Sequence, residues 1–70
     1  MALWCRGKMA WPELVGTRSE EAKRRIEKEN PYVDVAVIRE GRVVTLDLRC
    51  DRVRVWVDRH GIVTRIPFVG

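Results

Sequence analysis

The sequence predicts a small α+β fold, with one helix packed on a small sheet and a long connection between the first two strands. Three observations support this class. A charged segment that carries Ala22 and Ile26 at helical spacing stops at Asn30-Pro31. Short valine-rich segments with alternating apolar and polar residues follow it. A stretch from about Arg39 to Asp51, which fits neither a helix nor one regular strand, separates the first two of these segments.

The helix is predicted to start near Thr17 and to run to about Glu29. Thr17 and Glu20 have the spacing of a capping box, in which a hydroxyl and a carboxylate satisfy the first free N–H groups of a helix. Ser19 is the alternative cap. Asn30-Pro31 ends the helix, because a proline ring disfavours helical backbone in the residue before it.

Three strands are predicted, at residues 33–38, 53–58 and 62–66. Glu40-Gly41 breaks the first, a turn at residues 59–61 links the second and third, and Pro67 ends the third. The connection between the first two strands is long for a compact domain, and such connections are usually functional or disordered.

The connection changes the phase of the apolar alternation. Val44, Leu46 and Leu48 share one parity, whereas Val53 and Val55 share the other. One regular strand cannot place both sets on one face, because side chains alternate between faces with a period of two. The segment is too apolar for a disordered linker, so we expect it to be extended, exposed and held in one shape.

Two arginines could hold this segment. Arg52 and Arg54 have the opposite parity to the valines around them, so their guanidinium groups should face away from the helix and toward the connection. Thr45 and Asp47 offer a hydroxyl and a carboxylate, which an arginine fork binds well. The alternative interpretation is a solvated strand face with ordinary surface ion pairs.

The two cysteines, Cys5 and Cys50, leave two interpretations open. They are either unrelated free thiols or one disulfide, which would close a long loop, stabilise the fold by about 4 kcal/mol and imply an oxidising compartment. Two thiols and His60 do not complete a four-ligand zinc site. An enzyme is not expected, because a Ser-His-Asp arrangement would need His60 to reach Ser19, the one serine in the chain.

Length, composition and charge limit the remaining classes. We expect one domain over residues 1–70, with residues 1–10 as an irregular tail that Cys5 would tether. No apolar run approaches the ~20 residues of a membrane span, so no membrane partner is expected. The N-terminus lacks an apolar signal core, which indicates either a mature chain or one made without a signal. The net charge is +4. Charges of both signs are mixed along the chain, so no nucleic-acid partner is expected either.

A fixed, extended loop with exposed apolar side chains suits a protease inhibitor. Proteases bind substrates as extended chains, and a pocket for one side chain sets their specificity. A loop already held in that shape binds with little ordering cost. The alternative hypothesis is a non-inhibitory binding module that uses the same loop.

Five segments, in order, carry a family resemblance: W-P-E-L-V-G at 11–16, E-E-A-K at 20–23, V-T-L-D-L-R at 44–49, D-R-V-R-V at 51–55 and P-F-V-G at 67–70. With these motifs the chain resembles the potato type I family of serine protease inhibitors, to which eglin and the barley subtilisin–chymotrypsin inhibitor belong. The resemblance implies a twisted mixed sheet with a long exposed protease-binding loop between two parallel strands. Arg18 departs from it, because relatives carry a Ser or Thr helix cap there.

The resemblance also implies the roles of individual residues. The reactive-site bond would be Leu46–Asp47, with Leu46 in the primary pocket of the protease. The binding loop would comprise Val43, Val44, Thr45, Leu46, Asp47, Leu48 and Arg49. Trp11 would be a core aromatic residue. For Trp56 a core or loop-support role is predicted from the sequence itself, because the buried area of an indole ring matters in a domain this small. The loop would be supported by Arg52, Arg54 and Gly70, and by a Cys5–Cys50 disulfide like that of relatives from squash-family and flax seeds.

The implied partners are serine endopeptidases of the chymotrypsin-like and subtilisin-like classes, bound by a monomer. No catalytic residue, metal or cofactor is expected. The family parallel suggests plant defence and response to wounding, and a Cys5–Cys50 disulfide would favour a secreted or vacuolar location.

Overall fold

One helix packs against a three-stranded mixed sheet in the computed structural model, which describes residues 5–70. Residues 1–4 of the predicted tail lie outside the described residues. The elements are a 3₁₀ helix at Pro12–Leu14, α1 at Ser19–Glu29, β1 at Asp34–Arg39, β2 at Arg52–Val57 and β3 at Phe68–Val69. The sheet order is β1-β2-β3, with β1 parallel and β3 antiparallel to β2. The predicted fold class is confirmed.

The first two strands lie within one residue of their predicted positions. β1 begins one residue later than expected and β2 one residue earlier. Their register pairs Asp34 with Arg52 and Arg39 with Val57. The connection between them, residues 40–51, contains no regular strand. The change of parity in the sequence therefore marks the point where the chain leaves the sheet.

The core lies between α1 and the inner face of the sheet. Ala22 and Ile26, the predicted buried face of the helix, are fully buried, and so are Val53 and Val55 of β2. Trp11 is also fully buried, and its indole Nε1 donates a hydrogen bond to a Glu29 carboxylate oxygen at 2.9 Å. Burial of these apolar side chains is the main term that stabilises a domain of this size.

The start of α1 differs from the prediction. The N-cap residue is Arg18, whose side chain makes no capping hydrogen bond, so the capping box is wrong. The Thr17 hydroxyl donates to the Leu14 carbonyl at 2.7 Å instead. The Ser19 N–H, one of the free donors at the helix start, donates to the Gly61 carbonyl at 2.9 Å. Backbone from the turn after β2 thus replaces the cap. The predicted end at Glu29 is confirmed.

The predicted third strand is wrong. In residues 62–66 the chain forms two isolated bridges, one from Ile62 to Arg18 and one from Val63 to Val57. Because these partners lie on different elements, no continuous ladder develops. β3 follows Pro67 rather than preceding it, and the Pro67 carbonyl accepts the Trp11 N–H at 2.9 Å. No helix in residues 5–70 is long and apolar enough to cross a membrane.

Candidate functional site

The connection between β1 and β2 exposes large apolar side chains. Val43 is 97% exposed, Leu46 96% and Leu48 67%, whereas Val44 is half-buried. Apolar side chains clustered on one exposed segment are typical of an interaction surface. The predicted binding loop, residues 43–49, is the part of the connection that carries them.

Two arginines on the face of β2 that is turned away from α1 bind the middle of this loop. Arg54 donates through Nη1 to the Thr45 carbonyl at 2.8 Å and through Nη2 to the Thr45 hydroxyl at 2.7 Å. Arg52 donates through Nη2 to the Asp47 carbonyl at 2.6 Å. Both arginine side chains are mostly buried, at 16% and 19% exposure. Thus the two residues that flank Leu46 are fixed, whereas the Leu46 side chain is free.

The Asp47 carboxylate takes part in the same network. Its Oδ2 lies 3.4 Å from Arg52 Nη1, and its Oδ1 lies 4.0 Å from Arg54 Nη2. A hydrogen bond from the Thr45 side chain and the positive charge of Arg52 lower the pKa of Asp47 below its ordinary value. The carboxylate is therefore charged at neutral pH and links the two sides of the Leu46–Asp47 bond.

The last residue also contacts this arginine layer. Arg52 Nε donates to the Gly70 carbonyl at 2.9 Å, and the Gly70 N–H donates to the Arg52 carbonyl at 2.9 Å. The Arg52 guanidinium group therefore connects the loop to Gly70, the residue that follows β3. A cavity of about 220 Å³ lies between the loop and the outer face of the sheet, with Trp56 and Phe68 in its lining. Trp56, predicted as a core or loop-support residue, lies beneath the loop.

The carboxyl-terminal end of the loop is held covalently. Cys5 and Cys50 form a disulfide across a sequence separation of 45 residues. Beside it, Arg49 donates to Asp51 from Nε at 2.9 Å and from Nη2 at 2.8 Å. This pair lowers the pKa of Asp51. Of the two interpretations of the cysteines, the disulfide is the one that the fold forms.

The amino-terminal end of the loop has a support that the sequence analysis missed. Arg65 donates to Glu40 from Nη2 at 2.7 Å and from Nε at 2.8 Å, and the Thr64 hydroxyl donates to the same carboxylate at 2.5 Å. The Arg65 guanidinium also lies 4.1 Å from the centroid of the Trp56 ring. No local sequence pattern predicts this cluster, because Glu40 and Arg65 are 25 residues apart.

The described residues contain no group of three or more His, Cys, Asp or Glu side chains that could hold a metal ion. What the arrangement offers instead is an exposed Leu46 side chain between two residues, Thr45 and Asp47, that are bonded to arginines of β2.

Comparisons with known proteins identify the family. The model of the potato inhibitor I family matches residues 5–70. A Momordica charantia protein named Glu S.griseus protease inhibitor is 54% identical over 66 residues, which are 94% of this chain and 97% of that protein. The wound-induced proteinase inhibitor 1 of Solanum peruvianum is 48% identical over 66 residues, or 93% of this chain and 60% of that protein.

The fold agrees with the sequence match. The crystal structure of bitter gourd trypsin inhibitor superposes on this chain with a TM-score of 0.93, at 53% sequence identity, covering 94% of this chain and 97% of that one. The family and these relatives are protease inhibitors and not enzymes. The chain described here belongs to the potato inhibitor I family.

Proposed function

We propose that this chain inhibits serine proteases and that Leu46–Asp47 is its reactive-site bond. The observation that carries the proposal is the contrast within the loop. Leu46 is 96% exposed, while Thr45 and Asp47 on either side of it are bonded to Arg54 and Arg52. A segment that is both accessible and already ordered enters a protease cleft at little conformational cost.

The loop would occupy the cleft as a substrate does. The protease serine would approach the Leu46 carbonyl carbon, with the carbonyl oxygen in the oxyanion hole. Hydrolysis then requires the new amine of Asp47 to leave and water to enter. Arg52 holds the Asp47 carbonyl at 2.6 Å, and the disulfide at Cys50 holds the chain that follows. The amine therefore stays at high effective concentration beside the acyl carbon, and the bond reforms faster than water attacks.

The residue at the reactive site sets the specificity of the inhibitor. Two of the relatives described above are named for different enzymes, a Glu S.griseus protease and trypsin, so family membership alone does not choose the target. An apolar Leu46 favours the apolar primary pockets of chymotrypsin-like and subtilisin-like proteases. The trypsin pocket carries an aspartate, which Leu46 would leave buried and unpaired.

A titration of three proteases tests the proposal. The chain should abolish the activity of chymotrypsin and of subtilisin at one molar equivalent, and it should inhibit trypsin poorly. Leu46→Lys should move inhibition toward trypsin, because the new ammonium group pairs with the aspartate of that pocket. If Leu46→Lys blocks chymotrypsin as strongly as before and ignores trypsin, the reactive-site bond lies elsewhere. Rapid digestion of the parent chain would favour a non-inhibitory binding module.

The partner is thus a serine endopeptidase, bound by one copy of this chain. We place the protein in plant defence, including the response to wounding, in line with the name of its Solanum relative. The Cys5–Cys50 disulfide supports a secreted or vacuolar location, since disulfides persist in oxidising compartments.

A further inference from the structure

The Cys5–Cys50 disulfide restrains the loop only if the segment that carries Cys5 is itself fixed. A bond to a freely moving tail would let Cys50 and the end of the loop move with that tail. How the structure anchors residues 5–10 therefore decides how much the disulfide contributes to the loop.

The side chain of Asn30 provides this anchor. Asn30 is fully buried, and its Nδ2 donates to the Arg6 carbonyl at 2.9 Å and to the Lys8 carbonyl at 3.0 Å. Its Oδ1 accepts the Tyr32 N–H at 2.9 Å. Both amide hydrogens and the oxygen are used, so the side chain joins the tail to the turn after α1. A buried amide that is satisfied in this way fixes the groups around it.

The backbone between the two carbonyls is fitted closely around the amide. Gly7 has φ +83, and a Cβ at this position would lie 2.9 Å from both Cγ and Nδ2 of Asn30. A side chain there would be strained and would also push the tail away from the amide. The tail therefore wraps the Asn30 side chain at a position where only glycine fits.

Most other side-chain contacts of residues 6–8 lie near the surface, and Lys8 Nζ also lies 5.7 Å from the centroid of the buried Trp11 ring. Lys8 forms ion pairs with Glu13 and Glu29, with all three side chains at least one-third exposed, and the Arg6 guanidinium lies 5.5 Å from the Tyr32 ring centroid. Exposed pairs of this kind typically contribute little. Further along, the Met9 carbonyl accepts the Val69 N–H at 2.9 Å, which fixes the chain beyond residue 8.

The geometry points to Asn30 as a positioning residue for the reactive-site loop, an inference that rests on the inhibitory function proposed above. Asn30 fixes Arg6–Lys8, this segment fixes Cys5, and the disulfide transmits the restraint to Cys50 at the carboxyl-terminal end of the loop. After attack on Leu46, the Asp47 side of the cleaved bond must stay in place, and Cys50 lies on that side. Asn30 thereby favours resealing of the bond without contacting the protease or the loop.

A double-mutant cycle tests whether Asn30 acts on the loop through the Cys5–Cys50 disulfide. Asn30→Ala is made in the parent chain and in a disulfide-free chain that carries Cys5→Ser and Cys50→Ser. The measurement is the ratio of cleaved to intact Leu46–Asp47 bond after prolonged incubation with a catalytic amount of chymotrypsin. In the parent, Asn30→Ala should raise this ratio on the order of tenfold, as coupling between linked residues permits. In the disulfide-free chain the same substitution should leave the ratio unchanged, although it lowers Tm in both.

Two further variants keep the test decisive. Gly7→Ala leaves the Asn30 amide intact but displaces the tail, so it should repeat the pattern of Asn30→Ala even if Asn30→Ala does not fold. Val63→Ala, in the buried core away from the tail, should lower Tm without raising the ratio in either background. It shows what a purely structural defect does.

The outcomes separate this inference from the proposed function. The role of Asn30 would be overturned if the ratio rose equally in both backgrounds. It would also be overturned if neither Asn30→Ala nor Gly7→Ala raised the ratio in the parent. In both cases the parent would still inhibit chymotrypsin, so the proposed function would stand. A parent chain that does not inhibit chymotrypsin or subtilisin at all would overturn the proposed function, and this inference with it.

Discussion

Replacement of Arg54 by alanine should turn a slowly cleaved inhibitor toward a substrate. Arg54 makes two bonds to Thr45, at 2.8 and 2.7 Å, on the acyl side of Leu46–Asp47. Hydrogen bonds to a charged group contribute ~1.5–3 kcal/mol when both partners are buried, and screening by water at the exposed Thr45 lowers this to ~1 kcal/mol each. Loss of both therefore removes ~2 kcal/mol of restraint, and at ~1.4 kcal/mol per factor of ten this corresponds to about a 30-fold change.

The assay is the equilibrium ratio of cleaved to intact Leu46–Asp47 bond, followed by chromatography during prolonged incubation with chymotrypsin. Arg54→Ala should raise this ratio about 30-fold, and the pair Arg52→Ala with Arg54→Ala should raise it further. Arg24→Ala is a matched control, because Arg24 also forms an ion pair, with Glu21, but lies on the helix. If the ratio for the double variant equals that of the parent, the arginines do not retain the cleaved ends and the reasoning fails.

Three other predictions concern Asp47, the disulfide and the core. Because Asp47 has a lowered pKa, its contribution to loop order is present above the ordinary value of 3.8 and is lost as the pH falls through the lowered pKa. Carboxyl NMR should show that lowered midpoint, and Thr45→Val should raise it. Removing the disulfide with Cys5→Ser and Cys50→Ser should cost about 4 kcal/mol in denaturant unfolding. Ile26→Ala, at a fully buried position, should cost ~2–5 kcal/mol.

Each of these has an outcome that contradicts it. If the titration midpoint of Asp47 in Thr45→Val equals that in the parent chain, the hydroxyl is not the main cause of the low pKa. Equal unfolding free energies with and without the disulfide would mean that the 45-residue closure does not restrict the unfolded chain. A raised cleavage ratio in Ile26→Ala would mean that general loss of core packing is enough to loosen the loop.

Most of what the sequence could predict about the site came from the alternation of apolar and polar residues along the strands. The valines of β2 and the arginines between them alternate, so opposite faces follow from the period of a strand alone. One face packs on α1, and Arg52 and Arg54 on the other face reach the loop. The exposure of Leu46 followed from the change of parity before β2. These inferences need no knowledge of distant contacts, because a strand fixes the directions of its own side chains.

Features that depend on distant pairings could not be predicted. β3 is two residues long and pairs with β2, whereas residues 62–66, which the pattern predicted as a strand, form bridges to two separate elements. Asn30 was expected only to end the helix, yet its amide binds carbonyls more than 20 residues away. The Glu40–Arg65 pair is equally non-local. Local sequence pattern specifies directions and turns, but not which polar groups meet across the fold.

The parallel pairing of β1 with β2 has a consequence for shortening or grafting the loop. Two parallel neighbours cannot be joined by a tight hairpin, since the chain must return along the whole length of the strands, which takes about a dozen residues or more. Residues 40–51 are twelve residues, close to that minimum. In most folds a helix makes such a return. Here residues 40–51 make it, so the segment proposed as the protease-binding loop is also the connection that the parallel pairing of β1 with β2 requires. The exposed Leu46 side chain can be exchanged without loss of a bond to the sheet, whereas the Thr45 and Asp47 side chains cannot, and the connection has almost no length to delete.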